Sequence, residues 1–193
     1  IPYFIFPVIA LSCNIIVVSG NCFNYIRAGN LNLKLLIPYL VGSIPLAYQI
    51  SKRKGVNIFK SGTGLAGASN VLHSVGKKPA AIVFWGDFLK GFSSILFSTL
   101  IGIEGHWLII PALASIMGHW NSPLTRFRGG DGVITAVGVM IAISPAGTLV
   151  PILIGIIIAL AIKPRVAHPS AWGGVIGFAI LNVLAAVTDT GMS

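Results

Sequence analysis

The chain has 193 residues, 55% of them hydrophobic and only 9% charged, with a mean hydropathy of +0.90. A soluble domain carries about 25% charged residues, so a soluble single domain, a secreted disulfide scaffold and a disordered tail are excluded. Thirteen Lys and Arg against four Asp and Glu leave a net charge of +9; with so much of the chain apolar there is no domain for nucleic acid, and the excess points to basic cytoplasmic loops and an anionic substrate.

Stretches free of Asp, Glu, Lys, Arg and His occupy residues 1–26, 35–51, 132–162 and 169–188, each meeting or approaching the roughly 20 residues that cross a bilayer. In chain order, spans are predicted at about 1–20, 35–51, 79–101, 107–124, 132–144, 146–162 and 170–188. As one helix, 132–162 would be about 46 Å long, more than a hydrocarbon core, so it is divided at Ser144-Pro145-Ala146-Gly147. The short span 107–124 holds Pro111 and, near its end, Pro123. The expected fold class is all-α: a polytopic integral membrane helical bundle of about seven spans, some short, as a single domain over 1–193. Cys13 and Cys22 would sit about 13 Å apart on a helix, too far for a disulfide, and are read as buried thiols. No basic region precedes residues 1–20, so they do not look like a signal peptide. A chain that does not begin with Met is expected to be trimmed or a fragment.

Orientation follows from basic residues in short loops. Loops 52–78, 125–131 and 163–168 hold Lys52, Arg53, Lys54, Lys60, Lys77, Lys78, Arg126, Arg128, Lys163 and Arg165, while the other side holds Arg27 and Lys34. The three basic loops are therefore assigned to the cytoplasm. Lys90 remains, inside a span.

Three constellations can carry chemistry. The first is Ser61-Gly62-Thr63-Gly64-Leu65-Ala66-Gly67-Ala68-Ser69-Asn70, flanked by Lys60, His73, Lys77 and Lys78. Its glycines let backbone N–H groups converge on an anion and its hydroxyls add donors, although a flexible linker has the same composition. Gly62, Gly64 and Gly67 also fit a dinucleotide fingerprint, but fewer than 30 residues separate the flanking spans, too few for the βαβ unit it requires. The second is Asp87 and Lys90, at i, i+3 on one helical face. Ionisable groups at membrane depth face a bundle interior or a watery cavity, so the two either lock helices together or line a polar site. The third is Gly118-His119 followed by Arg126-Phe127-Arg128-Gly129-Gly130-Asp131-Gly132. Its arginines and glycine turn can grip a phosphate, or simply supply positive-inside charge; Asp131 brings a like charge to that place. There is no metal-ligand spacing of Cys and His and no nucleophile elbow, and few carboxylates are present for paired acid–base work.

Taken in order, Gly42-Ser43-Ile44-Pro45, the Ser-Gly…Gly-Ala-Ser-Asn loop, Gly76-Lys77-Lys78, Asp87-Phe88-Leu89-Lys90-Gly91, Gly118-His119, Phe127-Arg128-Gly129-Gly130-x-Gly132 and Ser144-Pro145 are similar to one known pattern. From about Leu35 to Ala186 the chain resembles the bacterial acyl-phosphate:glycerol-3-phosphate acyltransferase family (PlsY-type), with residues 1–20 as an extra span. The resemblance implies a multi-pass protein of the bacterial inner membrane whose site, built from loops 52–78 and 125–131, faces the cytoplasm. It implies transfer of a fatty acyl group from acyl phosphate to the 1-hydroxyl of glycerol 3-phosphate, giving lysophosphatidic acid for phospholipid synthesis. No cofactor, coenzyme A, acyl carrier protein or metal is implied; the partners are the two substrates and the lipid bilayer, and no motif specifies an oligomeric state. By resemblance Ser61 and His73 would be catalytic. Gly62, Thr63, Gly67, Ser69, Asn70, Arg126, Arg128, Gly129, Gly130 and Gly132 would bind phosphate, with Ser43, Asp87, Lys90 and His119 as polar support.

Several positions depart from the family pattern. Thr63 stands where Asn is expected and Ser69 where Thr is, and Gly62 to Gly67 is two residues longer. His73 replaces an Arg, and Asp131 replaces the Lys of Gly-Gly-Lys-Gly. The chain also ends where the family would add a span with a polar, His- and Asn-containing end, so a divergent and C-terminally truncated member is expected. The alternatives are a paralogue of the same fold with another anionic substrate or no catalysis, and a small transporter or channel with Asp87 and Lys90 in its pathway.

Overall fold

Proline and glycine punctuate the apolar stretches, and several helices in this computed structural model start at or just after one of them. The structure describes residues 31–162 together with 176 and 180. The expected span 1–20, most of span 170–188, Cys13 and Cys22 lie outside the described residues. The chain divides into two compact units, 33–148 and 1–32 with 149–193; the described part of the latter is helical, and the former carries the candidate site.

All regular structure among the described residues is helical. The expected span 35–51 is two helices, α1 Leu31–Gly42 and α2 Leu46–Arg53, parted at Ser43, Ile44 and Pro45. Pro45 has no N–H to continue a helix and disfavours the helical region for Ile44 before it. After a one-turn 3-10 segment, Ile58–Lys60, come the short α3 Ala68–Ser74 and the long α4 Lys77–Leu100. A second 3-10 turn, Gly105–Leu108, leads into α5 Ile109–Trp120, and a third, Pro123–Thr125, precedes α6 Val133–Ile143. Helix α7, Pro145–Ile162, follows after Ser144 alone. The predicted division of 132–162 is thus present, narrowed to one residue. Thr148 braces it, its hydroxyl donating to the carbonyls of Met140 (2.9 Å) and Ser144 (2.5 Å).

Among the described residues α4 is long and apolar enough to cross a bilayer; its 24 residues rise about 36 Å. Its polar residues Asp87, Lys90, Ser94 and Ser98 are buried, while Ile82, Trp85, Leu89, Leu96, Phe97 and Leu100 are exposed. A helix in water shows the reverse pattern. The serine hydroxyls are satisfied one turn back, Ser94 donating to Lys90 O and Ser98 to Ser94 O, both at 2.7 Å.

Helix α4 is the hub of its unit, packing against α2, α3, α5 and, most extensively, α6. Two glycines make the α4–α6 approach possible. A Cβ on Gly91 would overlap the carbonyl of Thr135, and one on Gly138 the carbonyl of Phe88. Close backbone approach through small residues is how membrane helices gain packing without a hydrophobic drive. Gly138→Leu should therefore cost about 3 kcal/mol, the upper end for overpacking, read as a lowered unfolding midpoint in detergent; an unchanged midpoint would refute this close packing. Toward the loop end, Ala47, Ile58, Ala66, Val71, Ala80 and Val83 form an apolar cluster that seats the 54–67 loop on α2, α3 and α4.

Candidate active site

The first loop is tied by one side chain. Asn57 Oδ1 accepts from Phe59 N at 3.2 Å, starting the 3-10 turn, and Ser61 Oγ donates to Asn57 O at 3.0 Å. Gly62 and Gly64 take positive φ, +52° and +71°, a region open to glycine without steric cost. Buried Asn70, in the first turn of α3, then gathers the loop. Its amide donates to Ile58 O (3.0 Å), Ser61 O (3.0 Å) and Leu65 O (2.8 Å), while its Oδ1 accepts from Thr63 N (3.3 Å) and Ser74 Oγ (3.1 Å).

The second loop is tied by Ser122 and the end of α5. Ser122 Oγ donates to Ser43 O at 2.6 Å and accepts from Leu124 N, and Tyr39 donates to Asn121 O at 3.0 Å. Arg126 and Phe127 both adopt left-handed φ, 56° and 60°. Each such residue costs on the order of 1–3 kcal/mol unless its surroundings impose it. Gly129 and Gly130 then close on α5: a Cβ on Gly129 would strike the carbonyls of His119 and Trp120, and one on Gly130 the His119 ring. Asp131 Oδ1 accepts from Val133 N at 3.2 Å at the start of α6, where a carboxylate suits the positive end of the helix dipole.

The two loops are joined. Ala66 N donates to Gly129 O at 3.0 Å, and a Cβ on Gly67 would lie 3.9 Å from Asp131 Oδ1; Gly130 N, donating to His119 O at 3.2 Å, ties the second loop to α5. Beside this seam is a cleft lined by Ser43, Pro45, Ala66, Asp87, Lys90, His119, Ser122, Arg128 and Gly129, among others. Asp87 and Lys90 pair at 2.7 Å, and Lys90 Nζ lies 3.3 Å from His119 Nδ1. An ammonium only donates, so Nδ1 accepts and the ring proton is assigned to Nε2. The Arg128 guanidinium lies 4.6 Å over the Phe59 ring, which stacks on Tyr48 at 5.7 Å.

Of the residues proposed from sequence, Ser43, Asp87, Lys90, His119, Arg128 and Gly129 come together around this cleft. Ser61, Gly62, Thr63, Gly67, Ser69, Asn70, His73, Arg126, Gly130 and Gly132 do not line it. His73, Ser69, Thr63 and Arg126 are exposed, and Asn70 spends its amide on the loop itself. Ser122 was not singled out beforehand, and Ala66 was named only as part of the first glycine-rich segment, without a role; the Ser122-Pro123 dipeptide was the available sign of a side-chain-capped turn. Among the described residues no three His, Cys, Asp or Glu side chains gather as a metal-binding group.

The model of the family described as "Glycerol-3-phosphate acyltransferase" matches residues 33–191. This chain belongs to the glycerol-3-phosphate acyltransferase family. Among relatives of that family, Glycerol-3-phosphate acyltransferase 1 of Deinococcus radiodurans is 42% identical over 113 residues, 58% of this chain and 57% of that protein. The chain thus spans little more than half the length of that relative. The fold agrees with crystal structures of PlsY (YgiH), an integral membrane glycerol 3-phosphate acyltransferase. Its glycerol 3-phosphate form is 31% identical with a TM-score of 0.63, covering 83% of this chain and 94% of that one. Its lysophosphatidic acid form is 29% identical with a TM-score of 0.59, covering 83% and 93%. This family member is accordingly an all-α integral membrane protein, and the outward face of α4 is apolar and exposed, as suits a lipid surrounding.

Proposed function

We propose that the chain transfers a fatty acyl group from acyl phosphate to the 1-hydroxyl of glycerol 3-phosphate, giving lysophosphatidic acid and phosphate. The observation that carries this reading is the joining of two glycine loops beside a cleft holding Lys90, Asp87, His119 and Arg128. Family membership and the glycerol 3-phosphate and lysophosphatidic acid forms of PlsY support it. In the reaction the acyl carbon leaves the phosphate oxygen and bonds the 1-hydroxyl oxygen, and the hydroxyl proton departs with phosphate. Such a step depends mainly on orientation and on stabilising charge at the reacting oxygens. Arg128 and Gly129 are assigned to a substrate phosphate, with Gly130, whose amide is held by His119 O, fixing the turn beside them. Ser61 and His73 are assigned to substrate extending along the first loop, with Gly62, Thr63, Gly67, Ser69, Asn70, Arg126 and Gly132 shaping its anion contacts. We place the protein in the bacterial inner membrane as a single multi-pass domain, with loops 52–78 and 125–131 on the cytoplasmic side, as the excess of basic residues there favours.

Purified protein given acyl phosphate and glycerol 3-phosphate should release phosphate and form lysophosphatidate. A folded sample with no turnover above a heat-killed control would overturn this reading; solute flux in proteoliposomes would then favour transport. Asp131 favours a second reading, a paralogue with another anionic substrate, because its carboxylate stands at the seam of the loops. Under the acyltransferase reading Asp131→Lys should raise kcat/KM for glycerol 3-phosphate at least about tenfold by exchanging repulsion for attraction. Initial rates with and without the change test this, and an unchanged or lower value would move the phosphate away from the seam.

A further inference from the structure

The turn between Ser122 and Gly129 is built at a cost that its own contacts do not explain. Arg126 and Phe127 are consecutive non-glycine residues in the left-handed region, which persist only where surrounding structure imposes them. Neither gains burial in return: Arg126 is exposed and Phe127 is 64% exposed. Several hydrogen bonds hold the turn, and two of them bear on the strained pair and the residue after it. Phe127 N donates to Ser122 O at 2.8 Å. Buried Thr125 directs its hydroxyl at the carbonyl of Arg128 and lies 3.2 Å from Ser122 O. The strained pair therefore delivers the next residue, Arg128, to one fixed place.

The side chain of Arg128 is held as well. Its guanidinium carbon lies 4.6 Å from the centroid of the Phe59 ring, and Phe59 is backed by Tyr48, over which Lys52 Nζ sits at 5.7 Å. A guanidinium held against an aromatic ring by cation–π attraction still has N–H donors to offer a phosphate. Backbone clamp and aromatic rest act on the same cation, and that cation lines the cleft.

We propose that Thr125 and Phe59 are positioning residues that aim Arg128 at the phosphate of a phosphomonoester in the cleft. This rests on the reading that the cleft binds glycerol 3-phosphate. Because the two residues act through Arg128, their removal should weaken substrate binding only while Arg128 is present.

The test is a binding cycle with the purified full chain in nanodiscs and radiolabelled glycerol 3-phosphate. Arg128→Ala should raise Kd at least about tenfold, as loss of a charge-assisted contact does. Thr125→Val, which keeps the shape but removes the hydroxyl, should raise Kd about fivefold, and Thr125→Ser should restore it to within about twofold of the original. Phe59→Leu, which keeps an apolar side chain without a π face, should raise Kd about threefold and serves if the Thr125 variant does not fold. Neither change should add to the loss when made on top of Arg128→Ala. If Arg128→Ala leaves Kd unchanged, the reading of the cleft and this proposal both fall. If Arg128→Ala weakens binding but Thr125→Val and Phe59→Leu do not, or if their losses simply add to it, the cleft stands and the positioning proposal is overturned.

Discussion

Lys90→Met should destabilise the folded protein by about 3–5 kcal/mol, the range for removing one partner of a buried ion pair. Asp87 is 1% exposed and Lys90 5%, and their 2.7 Å contact lies on a helix whose other face is apolar and exposed. The single change leaves a buried carboxylate without its 2.7 Å partner, facing the His119 ring, whose Nδ1 lies 3.6 Å away. Changing both partners, Asp87→Leu with Lys90→Met, should recover most of the loss, because an apolar pair of similar volume avoids desolvating two charges. Unfolding midpoints in detergent read both effects. A single variant as stable as the parent would show that the pair does not hold α4 in its unit. The double variant also separates stability from function: it should fold but bind glycerol 3-phosphate poorly, since Lys90 and Asp87 line the cleft.

Asn70→Ala should lower turnover at least about 100-fold while shifting the global unfolding midpoint little. Its amide satisfies three carbonyls contributed from both sides of the glycine loop, those of Ile58, Ser61 and Leu65. Without it nothing of comparable reach holds Gly62 to Leu65 in place, and misplacement of about 1 Å in a site that works by positioning can cost about 100-fold. Asn70→Asp is the sharper test. The carboxylate has the same shape but no donors, so it points one negatively charged oxygen at three carbonyls and should do no better than Ala. Trypsin should cut faster after Lys60 in both variants, a sign of local opening rather than global unfolding. If Asn70→Asp retains parental turnover, the loop is not organised through this amide.

These two residues show how legibility divides. Asp87 and Lys90 are three positions apart on one helix, so their pairing was readable from spacing alone. Asn70 was nominated for an anion on composition, and the composition was informative: a polar, glycine-rich loop beside basic residues does form a built loop. Its amide, however, is committed to the loop's own carbonyls. Spacing cannot distinguish an amide facing a ligand from one facing its own backbone, because both need the same residue at the same place. The break at Ile44-Pro45 was hidden for a related reason. Apolar run length measures how far a segment can cross a bilayer, and it is blind to one residue that cannot donate.

Composition and order were enough for the class and the family. Apolar runs of span length with few charges leave hydrocarbon as the only solvent in which this chain can fold, and the Gly-, Pro- and charge-bearing motifs, each local, occur in the order of one family. The architecture of the site depended on contacts between distant residues. Lys90 reaches His119 across 29 positions, Ser122 reaches Ser43 across 79, and Tyr39 reaches Asn121 across 82. Nothing periodic in a sequence marks such pairs, because each is a consequence of where whole helices pack. Glycines at 91 and 138 set how closely α4 and α6 approach, and only that packing brings the loop after α5 against the loop before α3, with Arg128 beside the buried charges.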